Sequence, residues 1–436
     1  MSALESMIAS APGGEAPMLP ALAYELPAPS TAIVDRKQHC RAYPSSASSL
    51  SLIGTKTCRI RLGGEDFIDP SSIRLVFTIK NDTGDKMIKP TTGPWGCWGT
   101  VRLASNGVEL DHIHPSYGRF HTQFGFNQLS RDQMFGEVAV SGLHTTKTNP
   151  NFRPILGTIA GGQSLTVMHR LHLSLWSAGK LLPVKYAPQE LELTLADAAD
   201  WLAASETVSG TTTNFSQAFT LSDVQLLYDS YTLDEAVQAS FYSALLKNRV
   251  LSIPCLTASV MVHPLPSGAS TYSFSSVRAY SRLCQIWLTF RGTGPRASSF
   301  ICPGDLPGNA DTENFELINK AVPQVRLSIG PHNWPDPCPT SGQSGGELYY
   351  MMTKALGYQP NITRHAFEHE CFTMVFDIKK LPSDAISGLS TRSGDLVRVE
   401  LTNLGTGANG AATECWLTMI NFSVVAVRES GLTLLT

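Results

Sequence analysis

Ile73-Arg74-Leu75-Val76-Phe77-Thr78-Ile79-Lys80 reads as a half-buried β-strand. Ile73, Leu75, Phe77 and Ile79 fall on every second position, with Arg74, Thr78 and Lys80 between them, and successive side chains of a strand point to opposite faces. The same period recurs on both sides of this stretch. Cys58, Ile60 and Leu62 alternate with Arg59 and Arg61. Val101 and Leu103 lead into Asn106-Gly107, and Val108 and Leu110 follow. Asn-Gly between two alternating runs predicts a tight hairpin, because both residues accept the positive φ of a type I′ turn. Leu165, Val167, Leu171, Leu173 and Leu175 predict one long strand. Leu191, Leu193 and Leu195 alternate with Glu190, Glu192 and Thr194, and Val224, Leu226 and Tyr228 close the first run of strands.

A second run begins after residue 249. Cys284, Ile286, Leu288 and Phe290 fall on one side of a predicted strand, and Gln285, Trp287, Thr289 and Arg291 on the other. Further strands are predicted at Val325 to Ile329, Phe372 to Ile378, Leu396 to Leu401, and Trp416 to Val427.

Three helical stretches interrupt the strands. The first, about Ser116 to Phe135, is rich in aromatic residues and poorly patterned. The second starts at Thr232, with Glu235 three residues on, a spacing that predicts a capping box. The third pairs Ser344 with Glu347 in the same way, runs through Leu348, Met351, Met352 and Leu356, and stops at Gly357. The expected organisation is therefore all-β with a few short helices. An extended arm spans 1–35, a first sandwich 36–231, a linking helix 232–248 and a second sandwich 249–436. Two strand-rich blocks of this size point to paired β-sandwiches or jelly rolls.

Composition narrows the function classes. Of 436 residues 42% are hydrophobic and only 16% charged, which suits a surface covered by other chains. The formal net charge is -3 and no block of Lys or Arg occurs, so the counterion-releasing grip of a nucleic-acid binder is not expected. The nine cysteines are scattered, with no C-x-x-C pair, and read as reduced thiols in the core. Met1 to Gly13 lacks the basic start and apolar run of a secretory signal.

Two catalytic patterns occur and are read as decoys. Gly342-Gln343-Ser344-Gly345-Gly346 fits G-x-S-x-G, but that elbow needs a strand running straight into the turn, and here a proline-rich stretch precedes it. Ser344 is better placed as a helix cap. His365-Ala366-Phe367-Glu368-His369 fits H-x-x-E-H, which needs a helix longer than the space between Pro360 and Phe372 provides. His112 and His114 share one side of a predicted strand without a further ligand at metal spacing. The N-x-S/T matches at Asn81, Asn214, Asn361 and Asn421 read as chance. No catalytic, cofactor-binding or metal-ligating residue is expected.

The second half resembles the major capsid proteins of the adenovirus, tailless-phage and polinton-like virus lineage. The residues that carry the resemblance are Gly330-Pro331-His332-Asn333-Trp334-Pro335 and Glu347-Leu348-Tyr349-Tyr350. Phe376-Asp377-Ile378-Lys379-Lys380, Ser390-Thr391-Arg392-Ser393-Gly394-Asp395-Leu396 and Val427-Arg428-Glu429-Ser430-Gly431 follow in the same order. The resemblance implies two consecutive jelly rolls, a double jelly roll. It implies a homotrimer forming a pseudo-hexameric capsomer in an icosahedral shell around double-stranded DNA. Neighbouring capsomers, penton and minor capsid proteins would be its partners, with no sequence-specific contact to nucleic acid. It places the protein in the virion after synthesis in host cytoplasm or nucleus, and leaves an internal membrane open. The loop Ser205 to Ser216 would face outward. The alternative is a secreted-type paired β-sandwich enzyme, a metal-dependent monooxygenase or a glycan hydrolase. The free thiols and the missing secretory pattern count against it. A lectin-like or adhesion sandwich is the other rival.

Overall fold

The structure is a computed structural model. It describes residues 34–126, 129–144, 155–208, 211–246, 250–266, 271–291, 324–334, 345–357, 360, 367, 372–379, 388–392, 395–402, 413–428 and 431–435. Residues 1–33, and with them nearly all of the expected arm, lie outside this set, as do Ser344, His365 and His369.

The first half builds two facing antiparallel sheets. Its main strands are β1 (Val34–Ala42), β2 (Thr57–Leu62), β3 (Phe67–Asn81), β4 (Trp98–Ser105), β5 (Val108–Ile113), β6 (Ser164–His169), β7 (Gln189–Leu195) and β8 (Phe219–Leu233). One sheet runs β1-β8-β3, with β6 also on β3; the other runs β2-β7-β4-β5. The alternation that predicted β3 is observed. Ile73, Leu75, Phe77 and Ile79 are almost fully buried, and their burial against Leu191, Leu193, Val101 and Leu103 removes apolar surface from water. Asn106 and Gly107 take φ of 49° and 81° and join β4 to β5 as the expected hairpin.

The second half repeats the plan with β9 (Leu251–Pro264), β10 (Thr271–Ser276), β11 (Leu283–Arg291), β12 (Gln324–Ile329), β13 (His332–Trp334), β14 (Met374–Asp377), β15 (Val397–Thr402), β16 (Glu414–Arg428) and β17 (Gly431–Leu435). One sheet is ordered β9-β16-β11-β14 with β17 on β16, and the other β10-β15-β12-β13. Among the described residues no strand of one half pairs with a strand of the other.

Helices connect and flank the sheets: α1 (Tyr117–Phe120), α2 (Arg131–Ser141), α3 (Glu235–Leu246) between the halves, and α4 (Gly345–Leu356). Gly357 ends α4 with φ 76°, as its position predicted, and its amide donates to the Thr353 carbonyl at 3.0 Å.

Four local expectations are corrected. Thr232 does not cap α3; it pairs with Arg36 inside β8, and Asp234 accepts the Ala236 amide at 2.9 Å instead. The strand predicted from Leu165 to Leu175 ends at His169. Beyond it Leu171, Leu173 and Leu175 are still buried, but side chains satisfy the backbone in place of a ladder. The His172 amide donates to the Tyr117 hydroxyl oxygen at 2.8 Å and the Ser174 amide to Asp111 Oδ2 at 2.9 Å. In β15 the buried series is Val397, Val399 and Leu401, whereas Leu396 is half exposed. The aromatic stretch from Ser116 is not one helix. Ser116 caps α1 through the Arg119 amide, a π-helical turn follows at His121–Phe126, and α2 starts at a new cap, Ser130, with Gln133 completing its box.

Candidate functional site

The seam between the two sandwiches holds a group of buried polar residues. Strand β11 explains why. Gln285, Trp287 and Thr289, predicted as the second face of that strand, are buried like the first. A strand buried on both faces needs cover on both, and here the second cover comes from the other half of the chain. Phe124, in the π-helical turn after α1, meets Trp287 edge-on with ring centroids 4.7 Å apart. Arg119, buried in α1, donates from Nη2 to Thr289 Oγ1 and to the Phe290 carbonyl, both at 3.0 Å. Its guanidinium lies 5.1 Å from the centre of the Trp416 ring. Beneath Trp416, Glu414 accepts its indole proton at 3.0 Å and holds Arg291 at 2.9 Å.

On the first-half side, titratable groups crowd behind α1. Trp95 stacks on His121 at 4.4 Å, and His121 meets His169 edge-on at 5.6 Å. His121 Nε2 donates to the Arg170 carbonyl at 2.7 Å, and His169 Nδ1 lies 3.0 Å from that oxygen. Burial drives the His121 ring well below the ordinary histidine range, with His169 beside it adding to the effect. Burial also lowers His169 and His172 to about 4. The Asp111 carboxyl is pushed the other way, to about 7, because burial outweighs its bonds from Ser174. The three histidines are neutral around neutral pH and the Asp111 carboxyl is far less ionised there than an ordinary carboxylate, which lowers the cost of holding them inside the protein.

A cleft of about 660 Å³ opens at the seam. Ile113, Phe120, Phe124, His172 and Ser174 of the first half line it together with Leu256, Ala258, Ile420 and Phe422 of the second. Ala355, Leu356 and Lys379 belong to the same wall, as do Asp111, Cys255, Cys284 and Gln285. Asp111 Oδ2 accepts both the hydroxyl and the amide of Ser174 there. Burial pushes the Cys255 thiol at its edge up to about 12, which keeps it protonated and unreactive.

The sequence-level candidates lie elsewhere. His112 and His114 have ring centroids 6.1 Å apart; His114 Nδ1 is 2.8 Å from Thr100 Oγ1, and His112 is 3.6 Å from Glu109. Among the described residues no group of three or more His, Cys, Asp or Glu is arranged to hold a metal ion. Asn81 and Asn421 are buried, and Asn81 donates to the carbonyls of Lys86, Ile159 and Ala160, so it locks a turn. The six described cysteines are free thiols, five of them buried. Residues Ser205–Val208 and Thr211–Asn214 form a small exposed hairpin where an outward loop was expected. Arg119 was not singled out from the sequence. An isolated arginine in an aromatic stretch is the only signal it leaves.

No family model matches the sequence, and no curated protein matches it. The shape does find relatives. VP54 of PBCV-1, fitted into a reconstruction of the virophage Sputnik, superposes with a TM-score of 0.61 at 10% identity, covering 92% of this chain and 96% of that one. The structure of the Sputnik virophage itself gives 0.60 at 10% identity, with 96% and 92% covered. The Faustovirus major capsid protein gives 0.53 at 8% identity, with 98% and 97% covered. The chain is a double jelly roll.

These structural neighbours are double jelly-roll viral major capsid proteins. At such identities the likeness establishes the double jelly-roll fold, and it spans both sandwiches and the seam between them. The side chains that fill the seam belong to this sequence.

Proposed function

We propose that this protein is a structural major capsid protein of a double-stranded DNA virus. It trimerises so that six jelly rolls form a pseudo-hexameric capsomer, and capsomers tile an icosahedral shell with penton and minor proteins. The observation that carries this reading is the match over more than nine-tenths of the length of this chain and of each of three capsid structures. Two features of the chain support it. Charged residues make up only 16% of the sequence, which suits a surface that neighbours cover. The seam joins the two sandwiches through a buried arginine and aromatic contacts, so the pair acts as one rigid tile. In this reading the chain divides into an arm (1–35), two jelly rolls (36–231 and 249–436) and a linking helix (232–248). It carries no catalytic step and no cofactor, and it works in the virion.

Mass photometry of the purified protein tests the trimer: a species of three times the chain mass is expected, and electron microscopy of it should show a hexagonal outline. A monomer at all concentrations up to those that form shells in related systems overturns the reading.

A further inference from the structure

Among the described residues, the sheet face that forms the seam is covered at one end and partly open at the other. At one end Arg119 and Phe124 lie over Thr289 and Trp287. At the other end the same face continues as Gln285, buried under α4 with its side-chain amide donating to the Ala355 carbonyl, and then as Ile420, Ala258, Phe422 and Leu256. Ala258 pairs with Ile420 and Leu256 with Phe422 across β9 and β16, so these four stand side by side. They line the seam cleft between Phe120 and Phe124 on one wall and Ala355 and Leu356 of α4 on the other. Leu256 is 51% exposed there. Lys379 lines the same cleft, and among the described residues no carboxylate forms an ion pair with it. An apolar strip with a cation beside it is thus open to a partner.

The chain itself contains a segment of matching chemistry. Residues 1–33 hold Met7, Ile8, Met18, Leu19, Leu22 and Leu26. Their only charged residues are Glu5, Glu15 and Glu25; there is no Lys or Arg among them. Prolines at 12, 17, 20, 27 and 29 disfavour a helix and suit an extended peptide. The segment leads into β1 at Val34, which pairs with Leu233, next to the start of α3 and the connection to β9. At roughly 3.3 Å per extended residue a segment of this length can span on the order of 100 Å, ample to reach a seam cleft.

We infer that the seam cleft is the docking site for residues 1–33 of a copy of this chain. Apolar side chains of the segment lie on the Leu256–Phe422 and Ala258–Ile420 pairs, and one of its glutamates pairs with Lys379. The inference deepens the assembly reading above, because a segment exchanged between copies ties capsomers together.

The test uses the full-length protein with a photo-crosslinking benzophenone amino acid at Leu256 and, as a control, at exposed Arg61. Irradiation followed by mass spectrometry maps what lies in the cleft. Crosslinks from position 256 to residues 1–33, absent from position 61, are expected. Lys379→Glu should reduce their yield at least several-fold, and replacing Glu5, Glu15 and Glu25 together by Lys should restore it. Crosslinks only to other segments, to a co-purified small molecule or to nothing overturn the inference, as does a yield indifferent to both charge changes. Mass photometry on the same samples separates the two proposals. Trimers without the crosslink sink the docking site alone; monomers with the crosslink sink the capsid reading and leave docking within one chain.

Discussion

Replacing Arg119 by Met removes the one buried cation that α1 sends into the second sandwich. Three of its described contributions are lost. The two hydrogen bonds from Nη2 to Thr289 and Phe290 are charge-assisted, each contributing about 1.5–3 kcal/mol. The contact over Trp416 adds about 0.5–2 kcal/mol. Against this, a buried guanidinium carries a desolvation penalty of several kcal/mol that methionine does not, so the loss is much smaller than the sum. A net cost of about 2–4 kcal/mol follows, within the range for breaking a buried charged contact. The loss falls on the seam and leaves both sandwich cores intact, so the two halves should uncouple. The assay is urea unfolding followed by tryptophan fluorescence, to which Trp287 and Trp416 report from the seam. The parent protein should unfold in one transition, and Arg119→Met should show two, with the less stable half melting first. A loss under about 1 kcal/mol with a single unchanged transition would refute the argument that Arg119 holds the seam.

Acidification should weaken the fold through the buried histidines. His169 and His172 have native pKa values of about 4, below the 6.5 of the unfolded chain, so the unfolded state takes up protons first and stability is lost as pH falls through that window. Asp111 acts in the opposite sense: its native value of about 7 lies above 3.8, so its contribution is present at low pH and is lost as pH rises towards 7. Asp111→Asn should therefore steepen the fall in stability between about pH 7 and about pH 5, and urea titrations giving equal slopes for variant and parent would contradict this. A methyl group at Gly96 would meet the Trp201 ring at 2.1 Å, whereas one at Gly136 in α2 meets nothing within 4 Å. Gly96→Ala should cost about 1–3 kcal/mol and Gly136→Ala should gain about 0.5–1 kcal/mol, read as opposite shifts in thermal unfolding. Asp234→Ala should lose about 0.5–2 kcal/mol through the cap of α3, with Thr232→Ala costing less; the reverse order in chemical denaturation would restore Thr232 as the cap.

Much of the fold was legible in the sequence, and the legible part has one physical source. A strand of a sandwich has one wet face and one dry face, so its side chains must alternate, and residues 73–81 of β3, all of β7 and residues 325–329 of β12 show that alternation residue by residue. The Asn106-Gly107 turn and the Gly357 stop were legible for a related reason: their backbone conformations are ones that few other residues tolerate. Local signals failed where contacts between distant segments took over. Leu171 and Leu173 keep the period of a strand, but the acceptors for the neighbouring backbone amides, Tyr117 and Asp111, lie more than fifty residues away in sequence. Thr232 has the spacing of a cap, yet its pairing with Arg36 holds it in β8.

Alternation, turns and caps are written over spans of a few residues, so the strands, most of their faces and the two-block plan can be read along the chain. The seam arises only in the folded molecule. Nothing local to Cys284–Arg291 tells that its second face is covered, since the cover is α1 and the turn after it, some 170 residues earlier by the Arg119–Thr289 separation. Nor could composition show that Arg119 would reach Thr289 and Phe290 of the second sandwich, or that Asp111 and His172 would line the cleft beside them. Buried polar groups are tolerated only where partners converge from several elements, and that convergence exists only once the chain has folded.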